Sequence, residues 1–257
     1  MTILHILLAS ALVVQGSPTK GKHLVFSCDF TRQKEISLKD WKFDDGPVYN
    51  GEQEKYASGP GENAFLTKDG LIIQALKNGD RITSTRLQSV KAWRYGYFEA
   101  EAKVPPGNGT WPAFWMLNDR LRNPGTQEKV GWPKAGEIDI MENVGYDPKN
   151  FHFSLHCENY NWTKPKQRTK VVSVDNPFDF HKFGLDWEPD SITFYMDGKE
   201  AYRVEKDDAS FDSWPFRDPF YIILNLAIGG FWGGAKGIDP TIFPSKYIVR
   251  YVKVYQR

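Results

Sequence analysis

The chain has 257 residues, 40% hydrophobic and 15% aromatic, with a formal net charge of +1. That length suits one all-β domain of ordinary size. A near-neutral balance without a basic run excludes binding to nucleic acid or to an anionic membrane surface through charge. There are nine Trp and twelve Tyr, and some of them fill a core. Trp in Gly/Pro-rich loops is also how proteins stack on sugars, because the ring face is apolar and its edge donates a hydrogen bond.

In chain order, residues 3–14 form an apolar run ending at Val14-Gln15-Gly16. It is too short to span a bilayer and reads as a secretory signal over 1–16, cleaved near Gly16. The mature domain is then 17–257, and the protein is expected to be secreted and monomeric. Cys28 and Cys157 each alternate with core-type residues. They are expected to pair or to remain as buried thiols, and neither has partners at metal-ligand spacing. Alternating segments recur between turn residues at 24–30, 70–76, 82–84, 95–104, 113–117, 137–142, 151–157, 170–174, 183–187, 192–196, 199–203, 220–228 and 247–255. Asp197-Gly198 predicts a hairpin. No stretch keeps a helical period, and at most one helical turn is expected over 207–214. Many short strands without helices predict a two-sheet sandwich or jelly roll.

The central stretch is Gly136-Glu137-Ile138-Asp139-Ile140-Met141-Glu142-Asn143. Glu137 and Asp139 share one strand face, while Glu142 falls on the other unless a β-bulge at Ile140 or Met141 adds a residue. Spaced as four strand steps, the two Glu α-carbons lie about 13 Å apart at ~3.3 Å per residue. Retaining glycoside hydrolysis wants carboxyl groups roughly 5–5.5 Å apart, which side chains leaning together across a curved sheet can reach. The alternative is a solvated acidic strand. Against it, Asp is disfavoured in strands, and three like charges on one face repel and raise pKa values.

The segment GEIDIMENVG, preceded by GTWPAFWML at 109–117 and by Trp132-Pro133, resembles glycoside hydrolase family 16. The bulged E-x-D-x-x-E form resembles the laminarinase-like endo-β-1,3-glucanases. The likeness runs from Phe26 to Gln256. It implies a β-jelly roll of two antiparallel sheets with a concave substrate cleft, acting on β-1,3-glucan by double displacement. Glu137 would be the nucleophile, Glu142 the general acid/base and Asp139 the helper that hydrogen-bonds the nucleophile. His156 would face the cleft, with His152 on the same strand face left unassigned. Trp132 would stack on a sugar and Trp232 would sit in a glycine-rich cleft-edge loop. Trp111 would be displayed by a turn-rich loop, whereas Trp115 opens a strand heading toward the core. Asn50 and Arg86 match substrate-bonding positions. The resemblance implies no cofactor. Many members hold a structural calcium ion with an Asp in the last strand, but Arg250 stands there and argues against that ion; pairing of Arg250 with Asp29 is the suggested substitute. Sequons at Asn108 and Asn161 suggest a glycoprotein. The competing readings are a β-glucan-binding protein without hydrolysis, and a family 16 enzyme for mixed-linkage glucan or another polysaccharide.

Overall fold

The structure, a computed structural model, describes residues 17–123, 125 and 130–257. The expected signal segment 1–16 lies outside the described residues. In chain order the strands are β1 (His23–Asp29), β2 (Trp41–Phe43), β3 (Glu54–Tyr56), β4 (Ala64–Thr67), β5 (Gly70–Asn78), β6 (Arg81–Ser84), β7 (Arg86–Trp93), β8 (Gly96–Lys103) and β9 (Thr110–Asn118). The second half adds β10 (Glu137–Glu142), β11 (Asn150–His156), β12 (Arg168–Ser173), β13 (His181–Glu188), β14 (Ser191–Met196), β15 (Lys199–Glu205), β16 (Phe220–Ile228) and β17 (Ser245–Gln256). They form two sheets. One runs β12-β11-β10-β9-β16-β7-β2 and carries the acidic strand near its middle. The other runs β15-β14-β13-β8-β17-β5-β6-β3, with β1 also on β17 and β4 on β5.

Alternation explains the packing. Phe114 and Met116 of β9, Phe151, Phe153 and Leu155 of β11, and Ile222 and Leu224 of β16 face Phe98 and Ala100 of β8, Phe183 and Leu185 of β13, and Val252 and Val254 of β17 in one core. Each fully buried Leu, Val or Phe contributes about 1.5–3 kcal/mol relative to exposure. All nine residues of β16 are buried, since its second face is covered by side chains of the site described below. At the β14–β15 hairpin, Asp197 and Gly198 both take left-handed φ, 50° and 76°. That is the requirement of a two-residue turn whose twist matches its strands.

Several details depart from the sequence reading. β3 pairs with β6 in parallel, so the sheets are not antiparallel throughout. The direction of β3 is set by anchoring to β16, where Gln53 N donates to Ile228 O and Ile228 N donates to Glu54 Oε2. Residues 207–214 close one turn, Trp214 N to Ser210 O at 2.8 Å, without forming a helix. Single 3-10 turns occur instead at Asp119–Leu121 and Pro240–Ile242. Of the two arrangements open to the cysteines, the buried free thiols are found. Cys28 Sγ accepts from the Trp41 indole at 3.2 Å, and burial raises its pKa to about 11. Asn161 is fully buried and its Nδ2 donates to Cys157 O, so this sequon has no free amide for a glycan in the folded chain. Arg250 does not pair with Asp29. It lies 3.4 Å from Glu101 and over the Phe180 ring, while Asp29 is held by Thr31 and Arg32.

Candidate active site

The acidic strand has the bulge its spacing requires. Against β9, Asp139 pairs with Trp115 and Met141 with Phe114, so the extra residue is Ile140. Ile140 and Met141 both turn into the core, each fully buried. Glu142 is thereby returned to the face of Glu137 and Asp139. On the neighbouring β11 the three carboxylates stand opposite His156, Ser154 and His152.

Asp139 is 2% exposed, and Glu137 and Glu142 are half-buried. His156 Nε2 lies 3.1 Å from Asp139 Oδ2 and 3.9 Å from Glu137 Oε1. Burial drives the Glu137 pKa well above the ordinary range, reinforced by the neighbouring Asp139 and Glu142 charges and opposed by His156 and the Trp132 hydrogen bond. Asp139 is raised by burial too, offset in part by a hydrogen bond with Glu137, which requires a proton on one of the two. Glu142 is pushed up to about 8, first by burial and then by the Asp139 charge. Such a carboxyl holds a proton at neutral pH, as a general acid must. Among the described residues, Glu137, Asp139 and His156 also form the one group whose donor atoms, all within 4.8 Å, could hold a cation.

The tryptophans frame these carboxylates. Trp111 donates to Glu142 Oε1 at 3.0 Å and Trp132 to Glu137 Oε2 at 3.1 Å. Trp111 is therefore on the carboxylate face of β9, half-buried, rather than displayed by a loop. Trp115 shares that face, because its partner in β10 is Asp139. Its ring does not enter the core, and its indole donates to Asn225 Oδ1 at 2.8 Å. Trp232 packs edge-on against Trp111 at 5.3 Å and against His152 at 4.7 Å. Its loop turns through Gly229 and Gly230 at φ 79° and 74°, and a Cβ on Gly234 would lie 2.7 Å from Gly230 O. His152, unassigned from sequence, thus supports the aromatic chain that reaches Glu142.

Arg86 is 5% exposed. Its Nε donates to Asp44 Oδ2 and its Nη2 to Pro47 O, while the guanidinium lies 4.6 Å from the Tyr56 ring centroid. Gln88 donates to the same Asp44 oxygen, and Asn225 Nδ2 donates to the Tyr56 hydroxyl. This polar layer covers the second face of β16. Asn50 precedes β3 at a left-handed φ of 56°, which Asn tolerates, and its carbonyl accepts from Phe231 N at 2.8 Å beside Trp232. Next to it, burial and the Glu54 charge raise the Glu52 carboxyl to about 8, and burial alone raises Glu54.

Residues 50–251 match the family described as Glycosyl hydrolases family 16. The chain belongs to this family. A beta-glucanase of Rhodothermus marinus is 36% identical, the match covering 99% of this chain and 93% of that protein. The solved laminarinase from Rhodothermus marinus superposes with a TM-score of 0.84 at 37% identity, covering 91% of this chain and 97% of that structure. SCLam, a non-specific endo-beta-1,3(4)-glucanase, gives a TM-score of 0.83 at 36% identity and 91% coverage of each chain. The two sheets of this family 16 hydrolase are accordingly those of the family's jelly roll, with the three carboxylates on one face of the shorter sheet.

Proposed function

We propose that this chain is a secreted, retaining endo-β-1,3-glucanase that cuts internal bonds of laminarin-type glucans. The observation that carries the reading is the bulge at Ile140, which puts Glu137, Asp139 and Glu142 on one face with a Trp indole bonded to each glutamate. In the first displacement Glu137, whose ionised form His156 and the Trp132 hydrogen bond favour against its burial, attacks the anomeric carbon, the glycosidic C–O bond breaks, and Glu142 passes its proton to the departing oxygen. In the second, water attacks that carbon, Glu142 takes the water's proton, and Glu137 leaves as a carboxylate. Asp139, bonded to Glu137 and contacted by His156, is the group through which the nucleophile's charge is adjusted during the cycle. Trp132, Trp111, Trp115 and Trp232 supply apolar faces and N–H edges for the sugars, and Asn50 and Arg86 frame the far side.

The similarity to an endo-beta-1,3(4)-glucanase favours a second reading in which mixed-linkage glucan is also cut. Retention of all three carboxylates favours hydrolysis over binding alone. The apolar segment at 3–14 supports secretion.

The test is release of reducing ends from laminarin and from lichenan, with proton NMR following the anomer formed first. A β-anomer and loss of activity in Glu137→Gln are expected. An α-anomer, or near-normal activity in that variant, overturns the mechanism. Equal rates on both polymers would move the substrate to the broader class.

A further inference from the structure

Trp162, on the turn after β11, has no part in the chemistry above, yet it is 53% exposed beside Trp132, itself 40% exposed. The ring centroids are 6.4 Å apart and the planes are inclined by 31°. A lone exposed Trp on a loose loop carries no message. This one is fixed. The neighbouring Asn161 is fully buried, donates to Cys157 O at 2.9 Å and accepts from Thr163 N and Oγ1 at 2.9 and 2.6 Å. On the other side, the buried Tyr160 hydroxyl donates to Ser213 O at 2.8 Å.

The turn bearing Trp132 leans on the same support. It is closed by Ala135 N to Gly131 O and Gly136 N to Pro133 O, and Lys134 Nζ lies 3.1 Å from Asp212 Oδ1. From the Trp162 side, Asn159 N donates to Asp212 O and its Nδ2 to Ser213 Oγ. Residues 212–213 thus brace both turns and set the distance between the two rings.

That distance decides what the pair can hold. A sugar gripped between two aromatic planes needs two contact gaps of about 3.5–4 Å each, more than the 6.4 Å available. The rings instead lean on one another and present a widened face that begins at Glu137, through the Trp132 indole, and runs outward to Trp162. Resting on the glucanase reading above, we propose that Trp162 adds a sugar-binding subsite beyond Trp132, taking one further pyranose ring of a bound β-glucan chain. It is continuous with the catalytic face, its surface is apolar with an N–H edge, and such a surface suits the apolar face of a neutral sugar.

The test uses the full chain carrying Glu142→Gln, so that ligand is bound without turnover, titrated calorimetrically with β-1,3-linked gluco-oligosaccharides of increasing length. Adding Trp162→Ala is expected to weaken the longer oligosaccharides by about tenfold, the scale of one aromatic contact. The loss should grow with length, and affinity should stop rising one sugar earlier. Trp162→Phe, which keeps an aromatic face, should recover most of the loss, with circular dichroism showing an unaltered fold. An equal loss at every length, or none, overturns the subsite and leaves the glucanase reading standing. Failure of every oligosaccharide to bind with Trp162 intact overturns both.

Discussion

Replacing Glu142 by glutamine separates the electrostatic price of this site from its packing. The side chain keeps its volume, and the Gln carbonyl can still accept the Trp111 indole hydrogen bond. Only the ionisable proton is lost. In the folded chain Glu142 titrates at about 8 against an ordinary 4.5. A raised folded pKa means that the native state binds the proton more tightly than the unfolded chain between these values. Its contribution is therefore fully present below pH 4.5 and disappears as pH rises through 8. At about 1.4 kcal/mol per pH unit the ceiling is ~5 kcal/mol; water in an open site screens part of it, leaving on the order of 1–3 kcal/mol. Glutamine stays neutral throughout, so wild type and Glu142→Gln should melt together near pH 4 and diverge with rising pH. At pH 9 the variant should melt higher by roughly 2–12 °C, at 2–4 °C per kcal/mol for a domain of this size. Differential scanning calorimetry across pH 4–9 reads this directly. A difference independent of pH, or a variant less stable at pH 9, would refute the account of burial and repulsion around Glu142.

The other expectations concern rate, binding and packing. Glu137→Gln should lower turnover on laminarin by about 10³-fold or more with the fold kept, since charge and not volume is removed. Because burial raises the Glu137 pKa as it does that of Glu142, its melting temperature should match wild type near pH 4 and exceed it at pH 9. In Glu137→Ala, added azide should restore cleavage of an activated aryl β-glucoside with an inverted product, while in Glu142→Ala the azide product should keep the β configuration. The opposite pairing would exchange the two roles. Trp132→Ala removes both the indole donor to Glu137 Oε2 and the exposed ring proposed to stack on a sugar, so steady-state kinetics should show a KM raised about tenfold, the value of one aromatic contact. Gly145→Ala would put a Cβ 1.8 Å from Gly107 O and 2.4 Å from Thr110 Oγ1. Backbone cannot yield there as a flexible side chain would, and a loss of about 3 kcal/mol is expected, visible as a fall in melting temperature.

Segments with uninterrupted alternation were readable from sequence almost to the residue: β10 and β16 have the predicted limits, 137–142 and 220–228. Alternation does not mark β2, β3, β4 or β7. β7 reads Arg-Leu-Gln-Ser-Val-Lys-Ala-Trp, and its polar face looks like a surface loop. Only the fold shows that Arg86 and Gln88 converge on Asp44, an interaction spanning more than forty residues of chain. The three carboxylates of β10 are legible because strand periodicity is local, and the misfit of Glu142 to that period is itself the signal for the bulge. Trp115 was misplaced for the complementary reason: its flanking residues are apolar, and only its register with Asp139 assigns its face. Asn225 did leave a trace, a lone amide within the apolar run of β16. A polar group buried there requires partners, which prove to be Trp115 and Tyr56. His152 gave no trace, since its use depends on a loop about eighty residues away.

The extra residue in β10 is also a detachable part. Ile140 and Met141 occupy consecutive positions and both descend into the core, where a regular ribbon has room for one inward step between Asp139 and the last glutamate. Excising Ile140 would leave Glu-Ile-Asp-Met-Glu, in which plain two-residue periodicity already directs every acid to the same side. The two spellings of this acidic ribbon therefore stand a single codon apart, and passage between them asks the interior to give up one side chain while the acids keep their bearing.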